Sequence, residues 1–238
     1  MLYIDHLTKT YGDKKAVDDL SLHIARGEIY GFIGHNGAGK TTTIKACCGI
    51  LAFDSGTIRI DGHDIVTDPI AAKIRMAYIP DNPDLYPFMS GIRFINMVAD
   101  IYGVSQQDRE ARTKKYSEMF ELTSDLAQPV SAYSHGMKQK LALIAAFVHK
   151  PELIIMDEPF VGLDPKASFL LKEEMRSHCS EGGAIFFSTH VLEVAEKLCD
   201  KVAIIRQGRL VTSGTMEEVK GDASLEHVFL ELEGGNER

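Results

Sequence analysis

The eight residues GHNGAGKT, numbers 34 to 41, constrain this chain more than any other stretch. They follow the apolar run EIYGFI and lead into GKTTTIKACCGIL, which reads as a helix. A strand that passes through a glycine-rich turn into a helix leaves backbone N–H groups aimed at one spot, and the new helix adds the positive end of its dipole. Gly34, Gly37 and Gly39 allow the tight bend, and His35, Asn36 and Ala38 complete the loop. Lys40 brings a mobile positive charge to terminal phosphates, Thr41 a hydroxyl for Mg²⁺, and Thr42 a further hydroxyl or amide contact. The pattern Gly-x-x-x-x-Gly-Lys-Ser/Thr is complete and sits between a strand and a helix, so the chain is expected to bind a nucleoside triphosphate.

The rest of the composition narrows the setting. With 238 residues the chain can build one large core, or a core with an appended lobe. A formal net charge of -8 gives no general attraction to a nucleic acid backbone or an anionic membrane, and no nucleic acid partner is expected. Cys47, Cys48, Cys179 and Cys199 lack metal-ligand spacing and read as buried free thiols, which fits a reducing compartment. No apolar run approaches the roughly 20 residues that span a bilayer, and MLYIDHLTKTYGDKKAV has no basic-then-apolar leader pattern. The expectation is a cytosolic protein whose membrane role, if any, comes through a partner.

MLYIDHLTKTY and LSLHIARGEIYGFIG read as strands, and GTIRIDG as another, more strand than a simple βαβ unit needs. A mixed or antiparallel subsheet beside the nucleotide-binding sheet follows. From about 86 to 133 the apolar spacing turns helical, in GIRFINMVADIYG and DREARTKKYSEMFEL, which indicates an inserted helical lobe. Helix and strand then alternate through ELIIMDE, PKASFLLKEEMRSHC, AIFFST and VLEVAEKLC, the pattern of a parallel core sheet. KVAIIRQGRLVTSG reads as a strand pair turning at Gln207-Gly208, a short helix follows near 215–220, and GGNER reads as frayed. The expected fold class is α/β: a P-loop NTPase core with an antiparallel β subdomain and an inserted helical subdomain. The expected division is a core with its β subdomain in 1–85 and 134–223, a helical subdomain in 86–133 whose last helix continues to 150, and a tail in 224–238.

LIIMDEPF, residues 153–160, is an apolar run ending in two carboxylates. Asp157 is the expected Mg²⁺ partner, and Glu158 is placed to polarise a water near the terminal phosphate as general base. Pro159 stops the strand.

The order and separation of these motifs resemble the ATP-hydrolysing subunit of an ATP-binding-cassette (ABC) transporter, over almost the whole chain. YSHGMKQK, residues 133–140, resembles the family signature Leu-Ser-Gly-Gly-Gln: Ser134 and Gly136 keep its most informative positions, while Tyr133, His135 and Met137 depart from it. Ser134 can also cap a helix beginning at His135. The resemblance implies that this segment reaches the ATP held by a second ATPase subunit, identical or paralogous, in a head-to-tail dimer. It implies that Tyr11 stacks on adenine, that Asp164 in VGLD belongs to the loop joining the paired sites, with Val161 replacing the usual serine, and that His190 in FFSTH is the switch histidine contacting the terminal phosphate. Catalysis is thereby assigned to Glu158, His190 and Lys40.

Asp81, in AYIPDNPDLYP, falls where most members carry a glutamine that joins the core to the helical lobe. A carboxylate there can only accept hydrogen bonds and suits Mg²⁺ as a hard oxygen ligand; without the metal it repels the terminal phosphate. The alternative is a solvent-facing loop acid. The resemblance further implies separate transmembrane permease subunits, a position on the cytoplasmic face of the membrane, and a docking surface to which NPDLYPFMSGIRFINM contributes. SLEHVFLELEGG and the Asp81 and signature variants resemble the bacterial ABC-2-type exporter group, which implies export of a drug, peptide, lipid or polysaccharide-related cargo. An importer ATPase is the nearest alternative, and a soluble non-transport cassette ATPase a more distant one.

Overall fold

The structure, a computed structural model, describes residues 1–234. Two sheets organise it. The first is antiparallel, with strand order β2-β1-β4-β5, built from β1 (Leu2–Tyr11), β2 (Lys14–Ile24), β4 (Ser55–Ile60) and the two-residue β5 (His63–Asp64). Alternate residues of β1 and β2 are buried, as one-sided packing demands: Leu2, Ile4 and Leu7 face in with Leu20, Leu22 and Ile24. This sheet supplies the antiparallel subdomain.

The second sheet has six strands in the order β10-β9-β3-β8-β7-β6: β3 (Ile29–Ile33), β6 (Met76–Ile79), β7 (Leu153–Asp157), β8 (Ala184–Thr189), β9 (Lys201–Arg206) and β10 (Arg209–Thr215). All neighbours run parallel except β9 and β10, whose hairpin turns at Gln207 and Gly208, both at positive φ. Every residue of β3, β7 and β8 is buried, because parallel strands covered on both faces have no solvent side. One face packs against α1 (Lys40–Cys47) and the antiparallel sheet through Phe32, Ile155 and Phe186. The other meets α5 (His135–His149), α6 (Pro165–Ser180) and α7 (Leu192–Leu198) through Ile33, Met156 and Phe187. The register brings Ile33 level with Thr189, and Asp157 level with Ser188, so the carboxyl ends of β3, β7 and β8 finish on one edge. Open α/β sheets bind ligands at that edge.

The helical lobe holds α3 (Gly91–Ile101), α4 (Gln106–Met119) and the start of α5, which joins it to the core. Tyr116 Oη donates to Glu174 Oε1 at 2.8 Å, and Lys115 Nζ bonds the same carboxylate, tying α4 to α6. The short α2 (Pro69–Lys73) and α8 (Met216–Lys220) complete the chain before α9 (Leu225–Gly234). The segment read as a tail is therefore helical through Gly234, and it buries Leu225 and Phe229 in the core. Apart from Gly234, the GGNER end lies outside the described residues.

Candidate functional site

The loop after β3 wraps a pocket of about 340 Å³ lined by Tyr11, His35, Asn36, Gly37, Gly39, Lys40, Thr41, Thr42, Asp81, Asp157 and Glu158. Lys14 and Ala16 line it too, two residues that the sequence pattern did not single out. Gly39 is required sterically: at φ 112, a Cβ there would stand 2.4 Å from the Ala16 carbonyl oxygen. Lys40 is buried, and its Nζ donates to the carbonyls of Gly34 at 2.5 Å and His35 at 3.3 Å. The ammonium is thus held inside the curl of the loop that would cradle phosphate.

β7 delivers the acids. Asp157 is buried; its Oδ2 accepts from the Thr41 hydroxyl at 2.6 Å and its Oδ1 accepts from the Ser188 hydroxyl. At Glu158 the backbone leaves the strand with φ 48, a left-handed conformation that costs about 1 kcal/mol or more in a non-glycine residue. The turn brings a second carboxylate into the same pocket instead of sending it to the opposite face of the sheet. Ser188 Oγ also accepts from the Glu158 N–H at 3.1 Å, so one hydroxyl on β8 braces both acids. The sequence offered no motif for Ser188; only its place two residues before His190 was a signal. Glu158 Oε1 lies 2.9 Å from His190 Nδ1 and 3.5 Å from Lys40 Nζ, yet makes no well-angled hydrogen bond among the described residues. Capacity to accept from a water is retained there.

Asp81 stands at the rim, exposed, with its Oδ1 accepting from the Asn82 N–H at 2.9 Å. Tyr11 is 51% exposed, and Lys9 Nζ lies over its ring, 5.3 Å from the centroid. The lining charges suit a divalent cation: Asp81, Asp157 and Glu158 face Lys14 and Lys40, and a triphosphate adds more negative charge. Among the described residues no cluster of three or more His, Cys, Asp or Glu could hold a metal alone. Thr41 and Asp157 supply hard oxygens, so phosphate oxygens and water would have to complete the shell of Mg²⁺.

Ser134, His135, Gly136 and Asp164 do not line this pocket. Ser134 caps α5, its hydroxyl accepting from the Met137 N–H at 3.3 Å. Gly136 packs on the loop after β7: a Cβ there would lie 2.6 Å from the Gly162 carbonyl oxygen, and one on Gly162 would lie 2.5 Å from the His135 ring. Asp164 caps α6 through the Ala167 N–H at 2.8 Å and accepts from Lys140 Nζ at 2.7 Å. The Lys140 bond, with that cap, holds its carboxyl below the usual carboxylate range. These residues form a second, separate constellation on the same molecule.

Further concavities lie away from the phosphate loop, among them two that border the helical lobe. A cleft of about 690 Å³ between α3 and α4 contains none of the motif residues. A groove of about 260 Å³ runs between core and helical lobe, lined by Tyr78, Pro80, Pro83, Leu85, Phe94, Tyr102 and His149 among others. The His149 and Tyr102 rings stack there at 3.8 Å, and burial pushes the imidazole down to about 4. Pro83 is buried, whereas Tyr86 and Phe88 stand exposed beside the groove, Phe88 at 94%. Among the described residues, no helix is long and apolar enough to cross a membrane.

The family model described as "ABC transporter" matches residues 17–161. The Nod factor export ATP-binding protein I of Paraburkholderia xenovorans is 39% identical over 210 residues, 88% of this chain and 69% of that protein. A solved structure described as the ATP binding subunit of an ABC transporter superposes with a TM-score of 0.94 at 35% identity, covering 98% of this chain and 99% of that one. The ATP-binding cassette MJ0796, solved as a dimer in a post-hydrolysis state bound to ADP and Pi, gives a TM-score of 0.82 at 20% identity over 91% of this chain and 99% of that one.

Proposed function

Because this chain belongs to the ABC transporter family, as its ATP-binding subunit, we propose that it hydrolyses ATP in a Mg²⁺-dependent reaction at the pocket around Lys40 and Glu158 and so powers export through a separate permease. The observation that carries this reading is the convergence of Lys40, Thr41, Asp157, Glu158 and His190 on one edge of the parallel sheet.

The loop amides, the α1 dipole and Lys40 bind the β- and γ-phosphates. Tyr11 stacks on the adenine. Thr41, Asp157 and Asp81 would hold Mg²⁺ from the protein side, and the ion would supply neutralisation of the charge that develops on the phosphates. Glu158 accepts a hydrogen bond from the attacking water and takes its proton. Ser188 holds the Glu158 backbone at the strand end, and His190 stands beside its carboxylate. His190, on turning from Glu158 to the phosphate, distinguishes ATP from ADP. Ser134, His135, Gly136 and Asp164 have no place in the chain's own pocket, which supports a head-to-tail dimer in which they close over ATP bound by the partner. The groove with its exposed Tyr86 and Phe88 receives the permease on the cytoplasmic face of the membrane. A relative named for Nod factor export supports export over import.

The test is phosphate release by the purified chain, alone and with its co-purified permease, in Mg²⁺ and in EDTA. Release that needs both ATP and Mg²⁺ is expected. No ATP-dependent release in either preparation would refute the hydrolytic reading, and equal release in EDTA would remove the metal.

A further inference from the structure

We propose that Phe229, on α9, is a positioning residue for phosphate binding that acts on Lys40 through His35. The inference rests on the ATP-binding reading of the pocket. The Phe229 ring lies 5.0 Å from the His35 ring, centroid to centroid, at an interplanar angle of 60°, within the range favoured for tilted aromatic pairs. Phe229 is 8% exposed and Leu225, one turn earlier, is fully buried, so the contact is made from a seated helix rather than a loose end. Three polar ties fix that seat. Leu225 N–H donates to Glu196 Oε2 at 3.3 Å, Lys220 Nζ holds the other oxygen of Glu196 at 2.6 Å, and Arg206 Nη1 donates to the Leu232 carbonyl at 2.5 Å.

His35 is the link to the chemistry. Its carbonyl accepts from Lys40 Nζ at 3.3 Å and from the Ala38 N–H at 3.1 Å, so the orientation of this one peptide sets both the curl of the loop and the resting place of the ammonium. On the opposite side the Ala38 carbonyl accepts from the Gly208 N–H at 2.8 Å, and a Cβ on Gly34 would meet Ile205. The β9–β10 hairpin therefore supports the loop from beneath, and Phe229 packs against the exposed His35 side chain from α9. Glu196 also belongs to α7, the helix that follows His190. One helix thus touches the phosphate loop through Phe229 and α7 through Glu196.

The test is titration of the full chain with Mg²⁺ and the non-hydrolysable analogue AMP-PNP, with nucleotide-free melting measured alongside. Phe229→Leu keeps an apolar side chain in the core and loses the ring, and nucleotide-free melting reads what the smaller side chain costs the fold, separately from binding. Its Kd is expected to rise about three- to tenfold, the range that a lost aromatic pair supports. Phe229→Tyr should bind as wild type. His35→Ala should weaken binding at least as much, and the double variant His35→Ala/Phe229→Leu should bind as His35→Ala does, since Phe229 acts through His35. Wild-type affinity in Phe229→Leu, or multiplicative losses in the double variant, would overturn the proposal. Failure of the wild type itself to bind AMP-PNP would remove the ATP reading and this inference with it.

Discussion

Replacing Glu158 by Gln isolates the chemical step from binding. The substitution is nearly isosteric, keeps an oxygen near His190, and removes one negative charge and the ability to take a proton. In the resting site Glu158 Oε1 is 3.5 Å from Lys40 Nζ, an attraction of about 5 kcal/mol at an effective dielectric of 20 before screening. The amide releases Lys40 from that attraction and removes a carboxylate that repels the γ-phosphate, so ATP should bind at least as tightly as in the wild type. Loss of a positioned general base should lower turnover by about 100- to 10,000-fold, which raises the barrier by about 3 to 5.5 kcal/mol. Steady-state phosphate release, together with AMP-PNP titration, reads the two effects separately. Turnover within about threefold of wild type would exclude Glu158 as the base. Loss of nucleotide binding would refute the electrostatic argument, because the carboxylate would then be supporting the loop rather than competing for Lys40.

Asp81→Asn tests the rim carboxylate: if Asp81 touches Mg²⁺ or its water, the metal concentration for half-maximal hydrolysis rises or permease stimulation falls, and unchanged behaviour in both assays would make it an ordinary loop acid. His149 predicts a pH effect on stability. Burial, assisted by Arg112, holds its imidazole at about 4, from an ordinary 6.5. Between those values the unfolded chain takes a proton that the fold refuses, so stability complete above 6.5 falls by roughly 3 kcal/mol on descending to 4, and no further below it. His149→Phe, which keeps a ring against Tyr102, should lose less stability than wild type between pH 7 and 4.5 in urea unfolding; parallel losses would refute the assignment.

Much of the site was legible because its chemistry is carried by contiguous motifs. GHNGAGKT and LIIMDE each place a loop or an acid pair within one strand-to-helix or strand-to-turn step, so local pattern suffices to name Lys40, Thr41, Asp157 and Glu158. Lys14 and Ala16 were not legible: they come from β2 of the other sheet, and only the close approach of Gly39 to Ala16 brings them to the pocket. Ser188 likewise gains its role from parallel register with Asp157, a long-range pairing that no local spacing encodes. The core strands were recognisable from their apolar runs, but the order in which they pair is set by helices crossing both faces. SLEHVFLELE carried a signal that a tail reading passes over, since Leu225 and Phe229 recur at the spacing of one helical face.

The mutual contact of Gly136 and Gly162 has a consequence for how such a pair of subunits can be retuned. Gly136 is closed to any side chain by the Gly162 carbonyl at 2.6 Å, and Gly162 is disfavoured for other residues by its φ of 81 and by the His135 ring beside it. The two loops are consequently held in one shared shape. A side chain cannot be added at Gly136 without moving the loop that carries Gly162, so tolerated variation is left to neighbours such as Met137 and Val161.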